Sequence, residues 1–524
     1  MKYKRTILLV IYLGVILSLL ACNSEEDATN DNNQEDQNGK NILTVAYDNK
    51  PPGLDPHITT ATITKDFTSP IFETLVALDS ELEPQPMLAE EWEISEDGKT
   101  YTFKLREGVK FHNGKEMTSE DVIASYDKWV EVSSLGKSNF ADATFEAEDD
   151  YTVVMQLPER NTVTLIALSN TIQYLAIMPK EIVDNAGADG VTEYVGTGPY
   201  EVKEWRADQY LHLKKFEDYQ PLSTPADGFA GKKEVLVDEL HLEIVDDAST
   251  RVAGLISGQY DMATLLPYDD YDRLENDPNI TVYTPDNGFA MMVFNKKHGF
   301  FSDVKARQAI NYALDLEEVL LAAYSSEKFA APSHALVPEI QTSFYREEGI
   351  DRYNQKDIEK AKELLDEIGY DGEEIVFLVS RAYEDHYNAA VSVQQQLKEV
   401  GINVKLDVYD WATLLTHRED ETAWDMFATG FSYEPHPLNN IWLDSATQYP
   451  GWTNSPEIDS FIEQIRTAAS PEEASDYFGE LQDEFYNYLP LVKYGDTKNI
   501  HATRSNIKGY DYSLSHVFWN VSKE

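Results

Sequence analysis

Residues 354–408 read NQKDIEKAKELLDEIGYDGEEIVFLVSRAYEDHYNAAVSVQQQLKEVGINVKLDV, and the apolar period changes three times within them. Over 354–369, Ile358, Ala361, Leu364, Leu365 and Ile368 fall on one face of a helix, with Asn354 as the expected cap and Gly369 as the stop. Residues 374–379 (EIVFLV) predict a buried strand, apolar without a break from Ile375 on, the pattern of a strand covered on both faces. Helical spacing returns over 386–400, with Ala389, Ala390, Val393, Leu397 and Val400 inward and Gly401 as terminator. Residues 403–408 then alternate as a strand, and 424–429 supply another. Helix and strand in alternation predict an α/β architecture with parallel neighbours. In such sheets ligands bind beyond the carboxyl ends of strands, which singles out residues 380–387 and 430–437.

Upstream, residues 42–47 (ILTVAY) predict a buried strand. Residues 92–95 and 100–105 predict a hairpin around Glu96-Asp97-Gly98-Lys99. A short strand at 109–112 should lead to the turn Asn113-Gly114, and a helix should start at Thr118 with Asp121 completing a capping box. Gly196-Thr197-Gly198-Pro199 lacks the third glycine of a dinucleotide fingerprint, and Pro199 would break the helix that must follow. It reads instead as a tight turn between domains. No repeat of 20–50 residues is visible.

The N-terminus has a basic start (Lys2, Lys4, Arg5), an apolar run over 7–20 and the ending Leu19-Leu20-Ala21-Cys22. These are the parts of an export signal, and the ending resembles the bacterial lipoprotein signal. In that class Cys22, the only cysteine in 524 residues, would become a lipidated N-terminus. The run is short for a spanning helix. Residues 23–40 hold a single apolar side chain, Ala28, and predict a solvated tether. The remaining chain is too long for one core, so two or three domains are expected. The formal charge is −50, and loss of the three basic leader residues leaves 40 basic groups (43 less three) against 93 acidic. Such acidity argues against nucleic-acid binding and against electrostatic adhesion to anionic lipid; a doubly acylated lipid would have to do the anchoring.

Little supports catalysis. The single thiol is committed to lipid. None of the eleven histidines forms an H-x-x-x-H pair, and neither a G-x-S-x-G elbow nor a phosphate loop is present. Paired acids such as Asp246-Asp247, Asp269-Asp270 and Glu373-Glu374 are unremarkable in a chain with 93 of them, so a carboxylate-dependent secreted hydrolase stays open without a marked pair.

Residues 87–122 (MLAEEWEISEDGKTYTFKLREGVKFHNGKEMTSEDV) resemble the signature of the family 5 bacterial extracellular solute-binding proteins, the oligopeptide, dipeptide and nickel receptors of ABC importers. Further words of that family follow in order: Leu54-Asp55-Pro56, residues 71–75 (IFETL), 195–200 (VGTGPY), 257–261 (SGQYD), Phe294-Asn295, 303–315 (DVKARQAINYALD), 361–370 and Trp424-Asp425-Met426. The resemblance implies an α/β fold of the two-lobed periplasmic-binding-protein type (class II, the large cluster C form), with a hinge and an extra inserted domain. It places lobe I at 41–70, 190–290 and 495–524, the inserted domain at 71–189 and lobe III at 291–494, after a leader (1–21) and tether (22–40). It implies a monomeric receptor, not an enzyme, without cofactor or metal. Held at the outer face of the cytoplasmic membrane by its lipid, it would enclose a short peptide and deliver it to an ABC permease.

The resemblance also implies a site. In peptide-binding members a carboxylate takes the peptide amine shortly after a Gly-Trp pair. Here that segment is Gly430-Phe431-Ser432-Tyr433-Glu434-Pro435-His436-Pro437, with Phe431 for the usual Trp and Glu434 for the usual Asp. Glu434 is the expected amine ligand, with a solvated loop acid as its alternative. Arg381 stands where dipeptide-binding relatives carry a carboxylate-binding Arg; its alternative is a surface ion pair. Trp411 is an expected crevice ring or a core residue, and His386 a helix-start residue or ligand. Gly430, Phe431, Ser432 and Tyr433 complete the set, and residues 57–64 are an expected lip. Because Glu434 and His436-Pro437 depart from the peptide-binder pattern, an opine, sugar or nickel chelate remains an alternative guest. A receptor that signals without transport is a further alternative.

Overall fold

The computed structural model describes residues 39–187 and 189–524. The expected leader, Cys22 and the expected tether up to residue 38 lie outside the described residues. Among the described residues no helix is long and apolar enough to cross a membrane.

The apolar run 42–47 forms a strand, Ile42–Tyr47, near the middle of a seven-stranded sheet. It runs parallel to Glu239–Ile244 and Met262–Ala263; Tyr210–Lys215 and Tyr200–Arg206 extend one side, His501–Arg504 and Ile280–Tyr283 the other. Leu43, Val45, Leu211, Leu213, Leu240 and Leu242 bury one face against Phe67, Ile71 and Phe72.

The segment 354–408 builds the second, six-stranded sheet. Glu374–Ser380 lies between two parallel neighbours, Asn403–Tyr409 and Met426–Ser432. The helix Glu384–Glu399 is the crossover between the first two. Asp286–Phe294, Leu491–Lys498 and Ala330–Ala331 continue the sheet antiparallel. Both faces are covered, by Ala389, Val393 and Leu397 on one side and by Trp442, Leu414 and Phe485 on the other, which is why residues 375–379 are continuously apolar. A third sheet of four strands contains the hairpin Ala89–Ile94 and Thr100–Leu105. The helix Ser119–Val132 packs Val122, Tyr126 and Trp129 onto it, and Thr118 and Asp121 form the expected capping box.

Several local expectations change. The helix expected from Asn354 is Ile358–Ile368, capped by Asp357, whose carboxylate accepts from Lys360 N at 2.9 Å. Asn354 turns away in a left-handed conformation and accepts from Leu316 N. Gly369 ends the helix at φ 73°, as expected. The helix expected at 386–400 starts two residues earlier, and the strand expected at 424–429 is shifted to Met426–Ser432. Residues 109–112 make a single bridge, Lys110 with Glu116, in place of a strand, although the turn at Gly114 is present. Gly196 and Gly198 are not a tight turn. They lie against residues 70–71, with Gly198 N donating to Ile71 O at 2.9 Å and Tyr200 N to Pro70 O at 3.0 Å. A Cβ on Gly196 would stand 2.1 Å from Ile71 O. Close backbone approach, not turning, requires glycine there.

The chain passes between the first and second sheets at residues 284–285 and 499–500. The two passages lie side by side: Asn499 N donates to Pro285 O at 3.1 Å, Asn499 Nδ2 to Asn287 Oδ1 at 2.8 Å, and Lys498 pairs with Asp286 at 3.2 Å. Two adjacent connections form a natural hinge axis.

Candidate functional site

Adjacent parallel strands Glu374–Ser380 and Met426–Ser432 have their carboxyl ends at the same edge of the sheet; Leu378 lies opposite Phe427, so the second strand runs on past the level of Ser380. The loops that leave these carboxyl ends therefore come together. A Cβ on Gly430 would approach His386 Nε2 to 3.4 Å, which joins the two segments that the sequence singles out separately. Tyr383, His386 and Trp411 form an aromatic group beside them, with centroids 5.0 Å (Tyr383–His386), 4.9 Å (Tyr383–Trp411) and 6.2 Å (His386–Trp411) apart. Asp410 caps the short helix Trp411–His417 and so fixes the ring at its first residue. Nδ1 of His386 is buried without a hydrogen-bond partner, and burial holds the imidazole below its ordinary pKa.

The loop after Ser432 is held at its backbone. Gln341 donates to Glu434 O at 2.6 Å, and His436 Nδ1 accepts from Leu438 N, capping a 3-10 turn over Pro437–Asn439. His436 is buried, packs edge-on against Phe344 at 4.7 Å and has its pKa lowered to about 3 by burial and by Arg466. The ring is thus a turn cap inside the protein. Tyr433 is buried, while Phe431 and Ser432 are half-buried, with Phe431 edge-on to Tyr449 at 5.5 Å.

Glu434 is partly buried, and desolvation pushes its carboxyl up to about 7, tempered by the Lys65 ammonium. Lys65 belongs to the helix Thr62–Thr68, which packs on the first sheet, so the two charges face each other from opposite lobes. Lys65 is itself buried, with its pKa lowered by desolvation, and donates to Leu514 O. A second approach across the cleft involves Tyr383, which feels the charge of Asp48 at the end of the central strand of the first sheet. Farther out, Thr162 N and Oγ1 bond to Arg466 O at 2.9 Å and Ile465 O at 2.8 Å, fastening the third-sheet region to the helix Pro456–Thr467. The cleft is closed.

Arg381 is exposed. Its guanidinium lies 4.2 Å over the Tyr387 ring and donates to that hydroxyl at 2.8 Å. Of residues 57–64, His57 is fully buried, in an internal network with Lys128 Nζ (3.1 Å) and Ala176 O (2.9 Å). Sequence reasoning misses Lys65 and Asp48. Neither lies in a motif, and only the meeting of two lobes makes them neighbours of the 380s and 430s.

The arrangement offers a carboxyl of adjustable charge and an aromatic wall at the strand ends, facing charged groups of the other lobe. That suits capture of a small polar guest. Residues 83–450 match the model of the bacterial extracellular solute-binding proteins, family 5 Middle. The chain is 29% identical over 496 residues to the probable peptide ABC transporter periplasmic-binding protein y4tO of Sinorhizobium fredii, covering 90% of this chain and 91% of that one. Among solved structures, the dipeptide-binding protein of Pseudoalteromonas sp. SM9913 in complex with Met-Leu superposes with a TM-score of 0.79 at 23% identity, covering 92% of this chain and 100% of that one. AgaA of A. tumefaciens R10 in complex with agropinic acid gives 0.77 at 25% identity, with 92% and 99% covered. With a two-lobed fold, a closed cleft at the strand ends and a family match over most of its length, this chain belongs to the family 5 bacterial extracellular solute-binding proteins.

Proposed function

We propose that this protein is the peptide receptor of an ABC importer, working outside the cytoplasm as the family's description states, tethered by lipid on Cys22. The guest is captured between the lobes and handed on chemically unchanged to a membrane permease. The observation that carries the reading is Glu434: a partly buried carboxyl at the ends of two parallel strands, aimed across the cleft. An ammonium group arriving there gains a charge-assisted contact and restores the ionised carboxylate. Main-chain groups of Gly430 and Ser432 extend the peptide as an added strand. Trp411, Phe431, Tyr433 and His386 form the wall, and Arg381, released from Tyr387, takes the carboxylate end. The peptide-transporter name of the 29% relative supports a peptide guest. The likeness to the agropinic acid complex supports an opine as the second reading. In this reading lobe I comprises 41–70, 190–290 and 495–524, the inserted domain 71–189 and lobe III 291–494, and the receptor is a monomer.

The test is a thermal-shift and calorimetric panel of di- to nonapeptides, opines, sugars and nickel chelates, with mass spectrometry of the recovered guest. Saturable peptide binding with the guest recovered intact supports the proposal. Binding of opines alone establishes the second reading, and conversion of the guest to product overturns both.

A further inference from the structure

Away from the cleft, the first sheet carries a compact set of metal-binding side chains. His212 on the strand Tyr210–Lys215 stands directly opposite His241 on the antiparallel strand Glu239–Ile244. Glu243, two residues beyond His241, projects from the same face. One ligand atom from each of the three residues can be chosen so that all lie within 4.8 Å of one another. The two imidazoles stack with centroids 3.6 Å apart and planes 7° from parallel, and Tyr210 stacks on His212 at 4.0 Å. All three residues are half-buried, His212 and His241 retaining 17% and Glu243 28% of their side-chain exposure.

The supporting contacts are those of a metal site. His241 Nε2 donates to Glu239 at 2.9 Å, which leaves its Nδ1 with a free lone pair. Glu239 is buried and also accepts from Lys203, so it is itself fixed. A carboxylate behind a histidine ring sets the tautomer and orientation of a metal ligand. His212 Nε2 and Glu243 Oε1 already lie 2.8 Å apart. A cation can replace the proton they share; the imidazole lone pairs lie in the ring planes, so both rings must tilt out of their parallel stack for them to converge at the ~2.0–2.1 Å needed for a metal–nitrogen bond.

We propose that His212, His241 and Glu243 form a binding site for one divalent transition-metal ion, such as Zn2+ or Ni2+, on the first sheet and separate from the guest cleft. Two imidazoles and one carboxylate are a borderline donor set that prefers such ions over Ca2+ or Mg2+, and the remaining coordination position is left to water. The ion clamps two adjacent strands of one lobe.

The test titrates the full chain calorimetrically with Zn2+ alone and Ni2+ alone, and records the visible absorption bands of a Co2+ complex. One saturable equivalent is expected. His212→Ala and His241→Ala should each weaken it at least tenfold and abolish the Co2+ bands, while Glu239→Gln, which disturbs only the support of His241, should weaken it about 10-fold. Circular dichroism verifies folding of each variant, with His212→Gln and His241→Gln as substitutes if an alanine variant unfolds. Absence of saturable binding, or binding unchanged in folded histidine variants, overturns the proposal.

Discussion

Glu434 combines a carboxylate's chemistry with a position where water is scarce, and its behaviour with pH follows from that. Its folded pKa is raised from 4.5 to about 7, so the folded chain keeps a proton that the unfolded chain loses. Stability therefore falls as pH rises through that window, by at most about 3 kcal/mol. Glu434→Gln should flatten the difference in urea midpoint between pH 5 and 7.5. For an ammonium-bearing guest the trend is opposite, because pairing needs the charged carboxylate. Calorimetry should show affinity rising from pH 5 to 7.5, and Glu434→Ala should cost roughly 10–100-fold at pH 7.5, the range of a charge-assisted hydrogen bond. Unchanged affinity would remove Glu434 from the site.

At the scale of elements, two capping assignments can be separated. Asp357→Ala removes the cap of the helix Ile358–Ile368 and should cost ~1 kcal/mol in a denaturant titration. Asn354→Ala leaves that cap in place; it removes the bond to Leu316 N at the start of the helix Leu316–Tyr324 and also strains a left-handed backbone position, so Asn354→Gly, which removes the bond without that strain, is the control. The close approach at Gly196 is less tolerant. Gly196→Ala forces a methyl group into Ile71 O and should destabilise by ~1–3 kcal/mol or more, read as a lower urea midpoint.

At the scale of the whole molecule, binding depends on two lobes that close on a guest. Only a guest with higher affinity for the closed form shifts that equilibrium. A peptide at 100 times its dissociation constant should add roughly 2.7 kcal/mol of stability, visible as a raised melting temperature. Thr162 provides part of the outer fastening through its bond to Ile465 O. Thr162→Ala should cost ~1 kcal/mol of closure and release the guest about fivefold faster in stopped-flow measurements, with association little changed. Equal release rates would show that this contact does not hold the lobes shut.

Periodicity along the chain determined the α/β class, because an apolar face must recur at 3.6 or 2 residues wherever one side of an element is buried. Residues 354–408 therefore disclosed their helices and strands directly, and Gly369 its helix end. The strand-end rule also reached the loops at 380–387 and 430–437, since parallel strands have their carboxyl ends at the same edge of a sheet. Tertiary structure alone decided that Asp357 and not Asn354 caps the helix, because Asn354 is drawn away by Leu316, 38 residues distant in sequence. It alone decided that Gly196 serves close packing, and that Lys65 confronts Glu434 across nearly 370 residues of chain. Pattern encodes what a residue shares with its neighbours in the chain; desolvation and charge act through space, and they exist only once the lobes meet.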